Sequence, residues 1–329
     1  MQAISTRFTR ILRTLKQGFM APSGARPQPA ATQLRHQFAA LVPPVWRAGI
    51  SAVMLGCAIP SMVAAQDASG RYASFGLADW DSDGHQDIVT RENANGNLWL
   101  YPGESRRGYS GTPRIKIGNG WNSYSFFGLA DWDGDGHADI ITQENASGNL
   151  WLYPGESKRG YSNAARVQIG NGWNGYTLAG VADWDGDGHM DILARENASG
   201  NLWLYPGESK RGYSSAPRVQ IGNGWNGYSF FGVADWDHDG HQDIVVRENA
   251  SGNLWLYPGE SKRGYSSAPR VQIGNGWNGY TAFGLADWDH DGHQDILTRE
   301  NVSGNLWLYP GESKRGYSGA ARVQIGNGW

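Results

Sequence analysis

A single cysteine, Cys57, occurs in the 329 residues, so no internal disulfide can staple this chain. Residues 1–65 contain no acid but hold seven of the 28 Lys and Arg (Arg7, Arg10, Arg13, Lys16, Arg26, Arg35, Arg47). The remainder therefore carries 21 basic against 31 acidic groups, a formal charge of −10. Nucleic acid is excluded as a partner, because phosphate contacts need clustered Lys and Arg. After residue 70 no stretch shows a ten-residue helical period. A nucleophile-elbow motif is missing too, as is any acid pair outside the acidic loops described below. Glu92 and Glu104 recur in every repeat, and enzymes rarely need five equal sites, so no catalysis is expected.

What is present begins with an address. Arg47 is followed by "AGISAVMLGCAIPSMVAAQ", an apolar stretch of signal-peptide length that ends in small residues. Val63-Ala64-Ala65 fits a small-x-small cleavage pattern with Gln66 as the first mature residue. The expected division is a signal peptide with a long basic region over 1–65, a short linker over 66–70 and the folded body over 71–329. The alternatives are an uncleaved anchor, weakened by Pro60 and the short span, and lipidation at Cys57, which Met54 and Leu55 fit badly. The mature protein is expected to be secreted, periplasmic or extracellular, without stable membrane insertion. Cleavage at Ala65 would remove the only cysteine, leaving an oxidising destination with no disulfide to exploit.

Glycine (47) and tryptophan (16) are abundant, while 18% charged and 40% hydrophobic residues argue against disorder. Their arrangement is periodic: rows of 52 residues align nearly every position from Phe75 to Trp329, giving five rows. Each row divides into four strand-like pieces. In the second row these are "YSFFGLAD", "HADIITQE", "NLWLYPG" and "RVQIGNG", with the turn "NASG" before the third and the loop "ESKRGYSNAA" before the fourth. Four short antiparallel strands repeated five times predict an all-β fold, a five-bladed β-propeller. A row-by-row solenoid is the runner-up, but it would want distinct capping repeats, and the end rows resemble the middle ones. The Trp and Leu of "NLWLY" are expected between blades. Small residues in "FGLAD" and "AGVAD" suit a narrow ring whose first strands crowd together.

"DWDSDGHQD" at Asp79–Asp87 is the most specific signal, and its skeleton returns in every row. Acids stand at positions 1, 3, 5 and 9, with Gly at 6. Carboxylates at 1, 3 and 5, a main-chain carbonyl at 7 and a turn-making Gly at 6 are how a short loop wraps Ca²⁺, and oxygen-only ligation selects a hard cation. The expected ligands are Asp79, Asp81, Asp83, His85 and Asp87; Asp131, Asp133, Asp135, His137 and Asp139; Asp183, Asp185, Asp187, His189 and Asp191; Asp235, Asp237, Asp239, His241 and Asp243; and Asp287, Asp289, Asp291, His293 and Asp295, each His through its carbonyl oxygen. About five ions would offset the body's charge of −10 and supply folding free energy. The EF-hand's bidentate Glu is absent at position 12, and position 9 runs straight into a strand, so this is a hairpin loop.

"FG" followed by "DxDxDGxxD" and an apolar strand resembles the FG-GAP (VCBS) repeat, known from the integrin α-subunit propeller, over about 255 residues. Phe-Gly stands at Phe75, Phe127, Phe231 and Phe283, with Ala179-Gly180 in the third row. The resemblance implies calcium-binding propeller blades, although most such rings have seven. "GNLWLY…IGNGWN" also looks like five-bladed tachylectin-type lectins, which implies sugar binding between blades.

A sugar site wants an aromatic face and amide groups for hydroxyls. "IGNGWN" supplies both, making Asn119, Trp121 and Asn122; Asn171, Trp173 and Asn174; Asn223, Trp225 and Asn226; and Asn275, Trp277 and Asn278 the candidate ligand-binding residues. Tyr109, Tyr161, Tyr213, Tyr265 and Tyr317 add exposed rings from the long loop. The competing reading makes these Trp blade-packing residues and the Asn turn formers. The expected function is multivalent binding of a carbohydrate or glycoconjugate surface, the alternative an adhesion or protein-interaction scaffold without sugar binding. Lys-Arg pairs such as Lys158-Arg159 read as solvated loop charges. Oligomeric state is left open.

Overall fold

The computed structural model describes residues 70–329 apart from 109, 161 and 317. The expected signal peptide, linker residues 66–69, Tyr109, Tyr161 and Tyr317 therefore lie outside the described residues.

Each repeat folds as one antiparallel meander of four strands paired in chain order. The first blade is β1 (Tyr72–Ala78), β2 (Asp87–Glu92), β3 (Asn97–Tyr101) and β4 (Ile115–Gly118). The second is β5 (Tyr124–Ala130), β6 (Asp139–Glu144), β7 (Leu150–Tyr153) and β8 (Val167–Gly170). The third is β9 (Tyr176–Ala182), β10 (Asp191–Glu196), β11 (Leu202–Tyr205) and β12 (Val219–Gly222). The fourth is β13 (Tyr228–Ala234), β14 (Asp243–Glu248), β15 (Leu254–Tyr257) and β16 (Val271–Gly274). The fifth is β17 (Tyr280–Ala286), β18 (Asp295–Glu300), β19 (Leu306–Tyr309) and β20 (Val323–Gly326). First strands of successive blades lie side by side, and β17 lies beside β1, so the fold is a closed five-bladed propeller. Every blade takes its strands from one repeat, so closure exchanges no strand.

The core lies at the five blade junctions. At the third, Leu202, Leu204, Ile221 and Trp225 of one blade meet Ile244 and Val246 of the next. Period-2 alternation buries both leucines of "NLWLY" in every blade. The tryptophan between them (Trp99, Trp151, Trp203, Trp255, Trp307) faces the other way and is half-buried. A guanidinium lies over each of these rings, 3.8–3.9 Å from its centroid: Arg114, Arg166, Arg218, Arg270 and Arg322. Both residue types therefore lie between blades as expected, but at different junctions: Leu254 and Leu256 enter the fourth core, while Trp255 packs against the third. The deeply buried tryptophans are instead the Trp80 type, inside the acidic loops, and the Trp121 type, after the fourth strands.

The Phe of "FG" is the extra residue of a β-bulge. Between β13 and β14, Phe230 pairs with Val246 and Gly232 with Val245, leaving Phe231 unpaired. The same shift occurs at residues 75, 127, 179 and 283. A bulge re-aims one side chain, and Phe231, Ala179 and Phe283 are buried. The next residue approaches the neighbouring inner strand: a Cβ on Gly128 would lie 2.6 Å from Val181 Cγ2, and one on Gly180 would lie 2.5 Å from Val233 Cγ2. The narrow ring therefore demands glycine there.

Candidate metal centres and interblade clefts

The acidic loop connects the first and second strands, and its order comes from its own amides. Asp79 Oδ1 accepts from Asp83 N and Oδ2 from Gly84 N, each at 3.0 Å. Asp83 Oδ1 accepts from His85 N at 3.0 Å. Gly84 sits at φ +88°, a left-handed turn conformation open to Gly. Asp87, fully buried at the start of β2, accepts from Trp80 N at 3.0 Å and from Gly103 N at 2.8 Å. Gly103 must be glycine, since a Cβ there would lie 1.9 Å from the Gln86 carbonyl oxygen. The two amides on the ninth carboxylate recur at Asp139, Asp191, Asp243 and Asp295.

Carboxylate oxygens converge within 4.8 Å of one another in every loop. The groups are Asp79, Asp81 and Asp87; Asp131, Asp133 and Asp139; Asp183, Asp185 and Asp191; Asp235, Asp237 and Asp239; and Asp287, Asp289 and Asp291. Burial, its main cause, pushes the carboxyl pKa of Asp87, Asp243 and Asp295 up to about 7, and those of Asp139 and Asp191 to about 6. The Oδ1 atoms of Asp81, Asp185, Asp237 and Asp287 are buried without a hydrogen-bond partner. A buried acceptor with no donor is costly, and an oxygen-only donor set around it fits a hard cation. These aspartate groups could hold metal ions. The imidazoles stand apart from them: His85, His189, His241 and His293 place Nδ1 2.6–2.7 Å from Ser105, Ser209, Ser261 and Ser313 Oγ, and His137 meets Ser157 likewise. Those serines sit at φ +40° to +43°, so the long loop is held in an unfavourable conformation beside the acids.

The arginine of each Lys-Arg pair is not a solvated charge. Arg159 of the second blade donates to Asp81 and, at 2.7 Å, to Asp83 of the first. Lys158, by contrast, pairs with Glu156 in its own loop. No signal in a single repeat marks this contact, because its partners are 78 and 76 residues apart.

The "IGNGWN" residues separate. Trp121, Trp173, Trp225 and Trp277 are 6–8% exposed and open one-turn 3-10 helices. Each packs on two tyrosines of the following blade; Trp225 lies 5.8 Å from Tyr228 and 4.6 Å from Tyr257, centroid to centroid. Asn122, Asn174, Asn226 and Asn278 lie against the turn glycines Gly96, Gly148, Gly200 and Gly252. Asn119, Asn171, Asn223 and Asn275 are exposed. Asn171 and Asn223 donate at 3.4 Å to the hydroxyls of Tyr213 and Tyr265 across the junction. A cleft of about 320 Å³ opens between the third and fourth blades, lined among others by Asn223, Trp225, Tyr228, Tyr257, Tyr265 and Arg270. A second, of about 290 Å³, uses Asn327, Trp329, Tyr101 and Arg114 at the fifth–first junction. Asn327 and Trp329, the fifth copy of the motif, were absent from the candidates above, although the 52-residue period points to them. Arg270 is fixed on its wall by the hydroxyls of Tyr228 and Tyr257, donating to Tyr257 at 3.1 Å.

A family model described as an FG-GAP-like repeat matches residues 79–142, 131–194, 183–246 and 235–298. Among solved structures, the chain is similar to one described as the structural basis of specific recognition of non-reducing terminal N-acetylglucosamine by an Agrocybe aegerita lectin. That match has 16% identity and a TM-score of 0.42, and it covers 76% of this chain and 65% of that one. No curated protein matches the chain.

Proposed function

From the premise that this chain belongs to the FG-GAP-like repeat family, we propose that it is an exported, calcium-binding propeller that binds carbohydrate in equivalent clefts between its blades and catalyses no reaction. The observation that carries this reading is the recurrence of one cleft, built from the same repeat positions, at two junctions. Its walls offer tyrosine and tryptophan faces for the apolar side of a sugar, and an exposed Asn amide with tyrosine hydroxyls for its hydroxyl groups. About 300 Å³ is at the small end of ligand sites, a size for one or two sugar rings rather than an extended polymer. Several weak sites on one rigid ring give avidity for a repetitive glycan surface without any strong single contact.

Calcium is the cation that an all-oxygen set of this spacing favours. The residues that would hold it are the aspartates at positions 1, 3, 5 and 9 of each loop, with the carbonyl at position 7. When bound, a divalent cation would neutralise the crowded carboxylates and supply the partner that the orphaned oxygens lack. The signal-like residues 1–65 are what supports export.

A glycan array probed with the calcium-loaded protein tests the reading. Binding confined to glycans with a common sugar terminus is expected, weaker after EDTA. Absence of binding to every glycan would overturn it, and tight capture of one cell-surface protein would put the adhesion scaffold in its place.

A further inference from the structure

Each acidic loop is completed from the neighbouring blade. Arg159 forks onto Oδ2 of both Asp81 and Asp83. Arg211 does the same to Asp133 and Asp135, Arg263 to Asp185 and Asp187, and Arg315 to Asp237 and Asp239. Arg107 of the first blade reaches Asp289 and Asp291 of the fifth, which carries the pattern around the ring. The bonds to the fifth-position carboxylates are 2.7–2.8 Å.

Isolated surface ion pairs contribute little, and these arginines are 40–45% exposed. Their third-position partners are not on the surface, however: those side chains are 4–5% exposed. The fork also spans two carboxylates, both through Oδ2. On Asp81, Asp185 and Asp237 the other oxygen, Oδ1, is the buried atom without a partner. On Asp83, Asp135, Asp187, Asp239 and Asp291 it accepts the amide two residues on. The guanidinium thus takes Oδ2 of both carboxylates and turns Oδ1 of the third-position acid inward, where it is without a partner in three loops and accepts an amide at 3.2 Å on Asp133 and Asp289.

We propose that Arg107, Arg159, Arg211, Arg263 and Arg315 are positioning residues of the metal centres, so that each centre is complete only when two blades are docked and cation binding is coupled to closure of the ring. This rests on the calcium reading above. Two effects oppose each other here, and their sign separates them. By Coulomb repulsion alone a guanidinium beside the centre weakens cation binding, so its removal should tighten it. If it positions ligands, its removal frees two aspartate side chains and weakens binding, as loss of partners to metal ligands commonly does. Lysine keeps the charge and lacks the two-pronged geometry.

The test is calorimetric titration of Ca²⁺ into the full chain and into Arg211→Gln and Arg211→Lys, which alter one loop and leave four to hold the ring. The expected result is one ion per chain bound about 10–100-fold more weakly in Arg211→Gln, with little recovery in Arg211→Lys. The gain in melting temperature from Ca²⁺ should shrink with it. A titration unchanged or tighter in Arg211→Gln overturns the proposal, even if its melting temperature falls, since a merely structural salt bridge would do only that. Failure of the unaltered protein to bind Ca²⁺ overturns the calcium reading itself, and the proposal with it.

Discussion

Trp329 lies 4.5 Å from Tyr101, ring centroid to ring centroid, and 5.4 Å from Tyr72. Trp121 makes the corresponding contacts with Tyr153 and Tyr124 at 4.7 and 5.4 Å. One residue from the fifth repeat therefore treats the first blade as every interior tryptophan treats its successor. The junction between β17–β20 and β1–β4 is one more copy of a shared interface, held by packing without a covalent tie.

Trp329→Ala should destabilise the propeller on the scale of an interior Trp225→Ala, about 3–5 kcal/mol for removal of a packed tryptophan. Denaturant unfolding of both variants checks this. A loss confined to Trp225→Ala would mean that the fifth–first junction contributes little to the ring.

Metal-free protein should lose stability as pH rises. The carboxyls of Asp87, Asp139, Asp191, Asp243 and Asp295 are raised from 3.8 to about 6–7 in the folded state. A group raised on folding contributes stability fully below its unfolded value, and that contribution is lost as pH climbs through the folded one. In EDTA the denaturation midpoint should therefore fall between pH 5 and pH 8. Calcium takes up the charged form of the same groups, so its binding should release protons and its stabilising effect should grow over that range. A metal-free midpoint that rises from pH 5 to pH 8 contradicts this.

Gly128→Ala should be destabilising by about 1–3 kcal/mol through overpacking, because the new methyl would stand 2.6 Å from Val181 Cγ2. Gly175→Ala, where a Cβ meets nothing within 4 Å, should be far milder. Equal midpoints for the two variants would refute the account of a crowded ring centre.

Tyr265→Ala should weaken glycan binding several-fold and leave stability within about 0.5 kcal/mol, as expected of an exposed side chain. Tyr265 is 49% exposed and meets Asn223 across the cleft mouth. Unchanged affinity for a glycan that the parent protein binds would remove the cleft from the site.

The strands and the acidic loop of a repeat were legible from the chain. The 52-residue period dictates five blades, alternation dictates four strands, and D-x-D-x-D-G-x-x-D places its carboxylates together because a nine-residue turn has few ways to satisfy its own amides. Burial of the "NLWLY" leucines between blades was legible too, but the specific partners across a junction were not. Arg159 finds Asp81 across 78 residues; Asn223 turns to the cleft while Asn226 turns to Gly200; Trp255 carries Arg270 on its face while Leu254 and Leu256 enter the core. Sequence spacing sets which face of a strand a residue occupies, but only the angle and distance between docked blades decide what that face meets.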